Sequence, residues 1–146
     1  MKTRKSVLLA VLVCGCSNPF LLLPGGKLDG PVKPTPASFA FVESGTTIQI
    51  ETLPEKPYSV NVSSAVVGDE LYVNAGNSKA QWVTNIEVSP LVRARLDGDV
   101  YELRARRVGD AAEMDRVAEV WLSRNRWARD PRKLEGEVWV FELEAR

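Results

Sequence analysis

The sequence predicts a mainly β (α+β) domain, a small antiparallel β-barrel of about six strands with two helices. Segments in which apolar and polar residues alternate recur between turn signals, as is typical of strands joined into hairpins. Two other segments repeat apolar residues every three or four positions, as amphipathic helices do. The predicted strands are 46–53, 58–63, 70–74, 92–96, 101–105 and 137–143, with 39–42 as a candidate seventh.

Turn signals join four of these strands into two hairpins. Gly68-Asp69 separates the second predicted strand from the third, and Asp97-Gly98-Asp99 separates the fourth from the fifth. Aspartate and glycine are favoured in tight hairpin turns because these turns need positive φ angles. In the first strand, Ile48-Gln49-Ile50-Glu51 alternates strictly. This alternation predicts one buried and one polar face.

Capping signals mark the start of each helix. Ser78 is placed to cap a short helix over about 79–88, which Pro90 ends. Asp110 is placed to cap a longer helix, and Glu113, three residues later, completes a capping box. The longer helix carries an apolar stripe suited to covering a sheet. The stripe consists of Met114, Val117, Ala118, Trp121 and Leu122.

Composition excludes several classes of chemistry. The 146 residues contain no histidine, and the two cysteines are Cys14 and Cys16. The domain beyond them therefore has no imidazole base, thiol nucleophile or sulfur metal site, and we expect no metal. Three of the 19 basic residues lie in the first five positions, which leaves 16 against 19 acidic residues, a net charge of −3. This balance predicts no nucleic-acid partner.

The first 15 residues are organised like a lipoprotein signal peptide. A basic segment, 2–5, precedes the apolar run 7–13, which is much shorter than the roughly 20 residues that span a bilayer. The run ends in Leu12-Val13-Cys14-Gly15-Cys16, which resembles the bacterial lipobox and implies lipidation of Cys16. We expect a cell-envelope lipoprotein, anchored in a membrane and facing the periplasm or exterior. An ordinary secretory signal with an incidental cysteine pair is the alternative.

Residues 16–38 are expected to form an extended stalk between the lipidated cysteine and a domain of residues 39–146. Five prolines and three glycines between residues 17 and 38 disfavour any regular element. The stalk contains an apolar cluster, Phe20-Leu21-Leu22-Leu23. This cluster has two interpretations: insertion into the membrane interface beside the lipid, or docking onto the surface of the domain.

The segment 48–108 carries a more specific pattern. It contains Lys79-x-x-Trp82-x-x-Asn85-Ile86, then Pro90-x-Val92 and a turn at Gly98. This pattern resembles the split β-barrel proteins of the pyridoxamine-phosphate-oxidase-like superfamily, in particular the deazaflavin-dependent nitroreductases and quinone reductases. The resemblance implies a deazaflavin or FMN cofactor, hydride transfer to quinones or nitro compounds, and a homodimer.

The same resemblance implies which residues line the cofactor groove. Ser78 and Lys79 would meet a phosphate at the helix N-terminus, where backbone amides favour anions. Trp82, Ser59 and Asn61 would be further contacts. Simpler interpretations remain open, with Trp82 as a core residue and with Ser59 and Asn61 as solvent-facing residues of an edge strand.

One loop departs from the family pattern. Family members usually carry a Gly-Arg-x-Ser-Gly type loop that clasps the cofactor phosphate, and the segment here is Glu51-Thr52-Leu53-Pro54-Glu55-Lys56-Pro57. Its prolines lack N–H donors and its glutamates would repel phosphate, so that Lys56 compensates only in part. Two hypotheses therefore remain: a lipid-anchored flavin- or deazaflavin-dependent reductase, and a non-catalytic envelope binding or structural module that has lost the cofactor.

Two groups of basic residues have simple structural interpretations. The segment 124–133 is basic around Trp127 and would suit contact with anionic lipids or polymers, although a helix C-terminus favours cations in any case. The other group is expected to form a solvated face paired with Glu102 or Glu87. It consists of Arg93, Arg95, Arg104, Arg106 and Arg107.

Overall fold

The computed structural model describes residues 18–124, 126 and 128–146, so the predicted signal peptide, with Cys14, and the predicted lipidation residue Cys16 lie outside the described residues. The strands are β1 Val32–Lys33, β2 Thr47–Thr52, β3 Tyr58–Val67, β4 Glu70–Ala75, β5 Leu91–Leu96, β6 Asp99–Arg107 and β7 Trp139–Ala145. The helices are α1 Gln81–Val88 and α2 Ala111–Arg124, with a 3₁₀ turn at Pro131–Lys133. None of the helices in this part of the chain is long and apolar enough to cross a membrane.

Six strands close into an antiparallel barrel. Their order is β6-β5-β2-β3-β4-β7, and β7 pairs back with β6. Closure gives each strand a neighbour on both sides, although β4 pairs only with residues 64–67 of β3. Alternate side chains point inward and fill the barrel, among them Ile50, Val92 and Leu103, each fully buried. The predicted fold, a mainly β barrel of about six strands with two helices, is confirmed.

Both predicted hairpins are present. β3 and β4 are joined at Gly68, where φ is 63°. β5 and β6 are joined by Asp97 and Gly98, with φ values of 49° and 90°. A two-residue turn with both φ angles positive matches the right-handed twist of the flanking strands, and Asp-Gly tolerates that conformation.

Helix α1 connects β4 to β5, which are not neighbours in the barrel. It begins later than predicted, because Ala80 is its N-cap and no side chain caps it. The Ser78 hydroxyl instead donates to the Gly136 carbonyl oxygen at 2.8 Å, so the predicted Ser78 cap is wrong. The apolar face of α1 joins the barrel interior. Its buried residues are Trp82, Val83, Asn85 and Ile86.

Helix α2 covers a second apolar cluster, which includes Tyr72 and Trp121. The Asp110 carboxylate accepts a hydrogen bond from the Glu113 amide at 2.8 Å, which confirms the predicted cap. The other contact of the predicted capping box, from the Glu113 side chain back to the Asp110 amide, is wrong. The Glu113 carboxylate instead accepts from Arg106 and Tyr72, because two strands bring these donors beneath the helix.

Two predictions for the region before β2 are wrong. Residues 39–42 form a turn rather than a strand, although Phe39 and Val42 are buried in the core. The segment 18–38 was expected to lack regular structure, yet β1 pairs in parallel with β6. Its described residues lie against the barrel, where Leu28 is only 2% exposed. Contacts with the barrel hold this segment in place. Amino-acid composition alone does not reveal such contacts.

Candidate functional site

A pocket at the start of α1 contains two of the predicted site residues. It has a volume of about 580 Å³ and is lined by Gly76, Asn77, Ser78, Lys79, Arg129, Gly136 and Glu137. We call it the lysine pocket. Asn77 shapes its rim by accepting a hydrogen bond from the Lys79 amide at 2.9 Å. The Lys79 side chain is exposed, and no salt bridge between described residues involves it.

The electrostatics of the lysine pocket favour an anion. Lys79 precedes a helix whose N-terminus has no side-chain cap, so the partial positive charge of the first amides adds to that of the ammonium group. Arg129 lines the same pocket and donates to Glu137 at 3.0 Å. Glu137 lines the pocket as well, and its carboxylate offsets the charge of Arg129. Among the described residues, the pocket therefore offers one cation without a salt bridge, Lys79, immediately before the start of α1.

A second cavity, of about 540 Å³, adjoins the first because Gly136 lines both. We call it the tryptophan cleft. Met114 and Val140 contribute apolar surface, and the guanidinium of Arg107 lies 3.6 Å from the centroid of the Trp139 ring. This volume lies within the range of about 300–1,000 Å³ typical of small-molecule sites. The tryptophan cleft therefore combines the flat apolar ring of Trp139 with the positive charge of Arg107.

The polar side of β2 and β3 is covered by residues 18–30. Gly25 and Ser59 exchange two backbone hydrogen bonds, each 2.9 Å long. The Asn61 amide group donates to the Leu21 carbonyl at 2.8 Å. Ser59 is fully buried, and its hydroxyl has no hydrogen-bond partner among the described residues. The interpretation of Ser59 as a solvent-facing residue is wrong, because Gly25 forms a β-bridge with it and residues 18–30 cover it.

A buried ion pair lies under the same segment. Antiparallel register places Glu51 opposite Arg93, and the two side chains pair at 2.9 Å while 2% and 9% exposed. The Leu28 amide also donates to Glu51, at 2.7 Å. The expectation that Glu51 lies in a loop and repels phosphate is wrong, because Glu51 lies within β2 and its charge is neutralised by Arg93. The expected pairing of the strand arginines with Glu102 or Glu87 is likewise wrong for Arg93.

A second polar cluster lies between the barrel and α2. Arg106 bonds Glu113 at 2.6 Å and also bonds Glu142. The hydrogen bond from Arg106 lowers the pKa of Glu113, whereas burial raises the pKa of Glu142, which also faces Glu70 and Glu144. Burial and the bond to Glu70 raise the pKa of Tyr72 above its ordinary value. Every group here has a partner within the chain, so the cluster secures α2 to the barrel.

The structure brings together only part of the predicted site. Ser78 and Lys79 share the lysine pocket, whereas Trp82, Ser59 and Asn61 line neither cavity. Trp82 is 7% exposed, and its ring packs 5.7 Å from that of Phe141. This placement matches the interpretation of Trp82 as a core residue. The cofactor roles of the five residues stay predictions.

Sequence reasoning missed the residues that complete both cavities. In the sequence, Arg129 was assigned only to a basic segment and Trp139 only to a predicted strand. Trp139 lies 60 residues after Lys79. Only pairing of β7 with β4 brings that part of the chain beside the start of α1. No group of three or more His, Cys, Asp or Glu that could hold a metal ion occurs in the described part of the chain.

No protein-family model and no curated protein matches the sequence. Solved structures do match. The Mycobacterium tuberculosis protein Rv2991 is 20% identical with a TM-score of 0.58, covering 79% of this chain and 86% of its own. An FAD-binding protein from Mesorhizobium loti is 14% identical with a TM-score of 0.52, covering 68% and 80%. A candidate pyridoxamine 5′-phosphate oxidase from Listeria innocua is 11% identical with a TM-score of 0.50, covering 68% and 82%.

Likeness at these identities shows a common fold. The residue pattern of the sequence resemblance, Lys79 to Gly98, lies on α1 and the β5–β6 hairpin, and the later helix and closing strand also occur in the expected order. The chain therefore shares its barrel fold with these three proteins, one of which, from Mesorhizobium loti, is an FAD-binding protein.

Proposed function

We propose that this protein is a lipid-anchored envelope protein that binds a phosphate-bearing flavin or deazaflavin and reduces quinones or nitro compounds. The observation that carries the proposal is the lysine pocket, which Lys79 and Arg129 line immediately before the start of α1. The split-barrel fold and its FAD-binding relative support the same class of ligand.

The lysine pocket fits the phosphate end of such a cofactor. A phosphate needs N–H donors and positive charge, and a helix N-terminus supplies both. Lys79 adds a full charge at the pocket rim. The lysine pocket before α1 would then take over the role of the arginine and glycine loop that is missing between β2 and β3.

The tryptophan cleft fits the ring end. It shares Gly136 with the lysine pocket, so a ligand with a phosphate tail and a flat ring can span the two. Arg107 and Met114 would orient the ring and exclude water from it. A flavin-type group, when bound, supplies hydride transfer, and the protein positions it against the substrate.

A non-catalytic binding or structural module is the second candidate, and one observation favours it. The polar face of β2 and β3 that the family resemblance assigns to the cofactor is closed by residues 18–30, through Gly25 and Leu28. A barrel that had lost its cofactor would tolerate such closure. Binding measurements separate the two candidates.

Removal of Lys79 should weaken cofactor binding by about ten-fold or more, since a charge-assisted contact to phosphate is lost. FMN and a deazaflavin are titrated separately into the purified protein and into Lys79→Ala, with ring fluorescence as the signal. Lys33→Ala is the matched control, because Lys33 is also exposed and lines neither cavity. No signal change with either cofactor would favour the second candidate. Equal affinities for Lys79→Ala and the parent would instead exclude the lysine pocket as the phosphate site.

The anchor is tested at Cys16. We expect the mass of the N-terminal peptide to show a processed chain that begins with an acylated Cys16. We also expect Cys16→Ser to leave the membrane fraction, because acyl burial contributes ~0.8 kcal/mol per methylene group. Cys14→Ser is the control and should stay anchored. An unmodified Cys16 thiol would remove the proposed anchor and leave the cofactor proposal intact.

A further inference from the structure

A turn near the N-terminal end of the described residues presents apolar side chains to solvent. Phe20 and Leu23 exchange two backbone hydrogen bonds, of 3.0 and 2.8 Å, and Leu21 between them has a φ of 52°. The four side chains of residues 20–23 are between 65% and 98% exposed, with Leu22 the most exposed. We call these four residues the apolar tip.

The barrel holds the apolar tip in place. Asn61 donates to the Leu21 carbonyl at 2.8 Å, and Gln49 donates to the Pro19 carbonyl at 3.3 Å. These bonds, together with the pair between Phe20 and Leu23, satisfy most of the turn's backbone polar groups. The tip can therefore enter an apolar phase without stranding those groups unpaired, which would be costly.

We propose that the apolar tip inserts into the interfacial region of a lipid bilayer. The proposal extends the proposed membrane location, because Phe20 lies only four residues after Cys16. A fully extended chain advances at most ~3.6 Å per residue, so the tip lies within roughly 14 Å of an acylated cysteine. That distance allows the tip to reach the headgroups and upper acyl chains of the membrane that holds the cysteine.

Other occupants fit less well. The tip does not dock on its own domain, since its side chains stay exposed while only its backbone is bound to Asn61 and Gln49. A second copy of the chain would need a larger surface, because stable interfaces bury about 800 Å² per partner. Four residues on a protruding turn offer a small part of that area, whereas insertion into lipid needs no complementary partner surface.

A fluorophore attached at position 22 tests the proposal. The full chain carrying Cys14→Ser and Cys16→Ser has no other cysteine, so Leu22→Cys introduces a single thiol for an environment-sensitive label. Val88→Cys is the matched control, since Val88 is an apolar residue that is 75% exposed and lies at the end of α1. Both positions are exposed, so labelling leaves the packing intact.

On vesicles of neutral phosphatidylcholine, we expect the emission at position 22 to shift to shorter wavelength and to be quenched by nitroxide-bearing lipid. The emission at position 88 should stay as in water. Identical emission at the two positions would overturn the proposal. So would a shift at position 22 that appears without vesicles as the protein is concentrated, since a second copy would then cover the tip. Because this background lacks Cys16, failure of lipidation does not alter the result.

Discussion

Replacement of Arg93 by methionine is expected to lower the free energy of unfolding by about 3–5 kcal/mol, as for other buried ion pairs broken on one side. Arg93 donates to both carboxylate oxygens of Glu51, at 2.9 and 3.2 Å. Without it, Glu51 stays buried with only the Leu28 amide as donor. Urea unfolding followed by circular dichroism measures the change.

Two further variants test whether the broken ion pair causes this loss of stability. Arg95→Met removes an arginine two residues along the same strand, one that bonds the neutral side chain of Gln49 at 3.1 Å, so we expect a loss of only ~1 kcal/mol. The double variant Glu51→Gln/Arg93→Met should recover part of the loss, because no charge is then left buried. Equal losses for Arg93→Met and Arg95→Met would show that the ion pair is not what stabilises this part of the barrel.

Replacement of Trp82 by alanine should also destabilise the protein by about 3–5 kcal/mol, as other large-to-small core substitutions do. Trp82 is buried in the barrel interior, where its ring packs against Phe141. Unfolding in urea gives the change in stability, and titration of FMN gives the change in affinity. We expect the loss to appear mainly in stability.

Trp82→Phe is the control for shape. It keeps an aromatic ring against Phe141 and should cost much less, about 1–2 kcal/mol, because the cavity left behind is smaller. A Trp82→Ala protein of unchanged stability that no longer binds the cofactor would contradict the core assignment. It would instead support the contact role that the family resemblance implies.

The hairpins and helices could be predicted because their signals are local. Asp97 and Gly98 accept positive φ angles wherever the chain places them, and Asp110 needs only the amide three residues later. The predicted Ser78 cap failed for a non-local reason. Its hydroxyl has a better acceptor in Gly136, which is 58 residues away in sequence.

The two cavities could not be predicted, because each is assembled from distant segments. Gly136 and Trp139 reach the start of α1 only because β7 pairs with β4. The same holds for the ion pair of Glu51 and Arg93. Alternation predicts that each residue lies on the polar face of its strand, but only the register of β2 on β5 places them opposite each other.

The sequence by itself determined the class of fold, the two hairpin turns, the cap of α2 and the absence of histidine chemistry, because periodicity, turn residues and composition act over a few residues. Tertiary structure decided which polar residues are buried. Residues 18–30 were expected to form a stalk, and instead they seal Ser59 and Glu51 from solvent. Long-range contact determines solvent exposure, and solvent exposure determines whether a polar side chain contributes to a site or to stability.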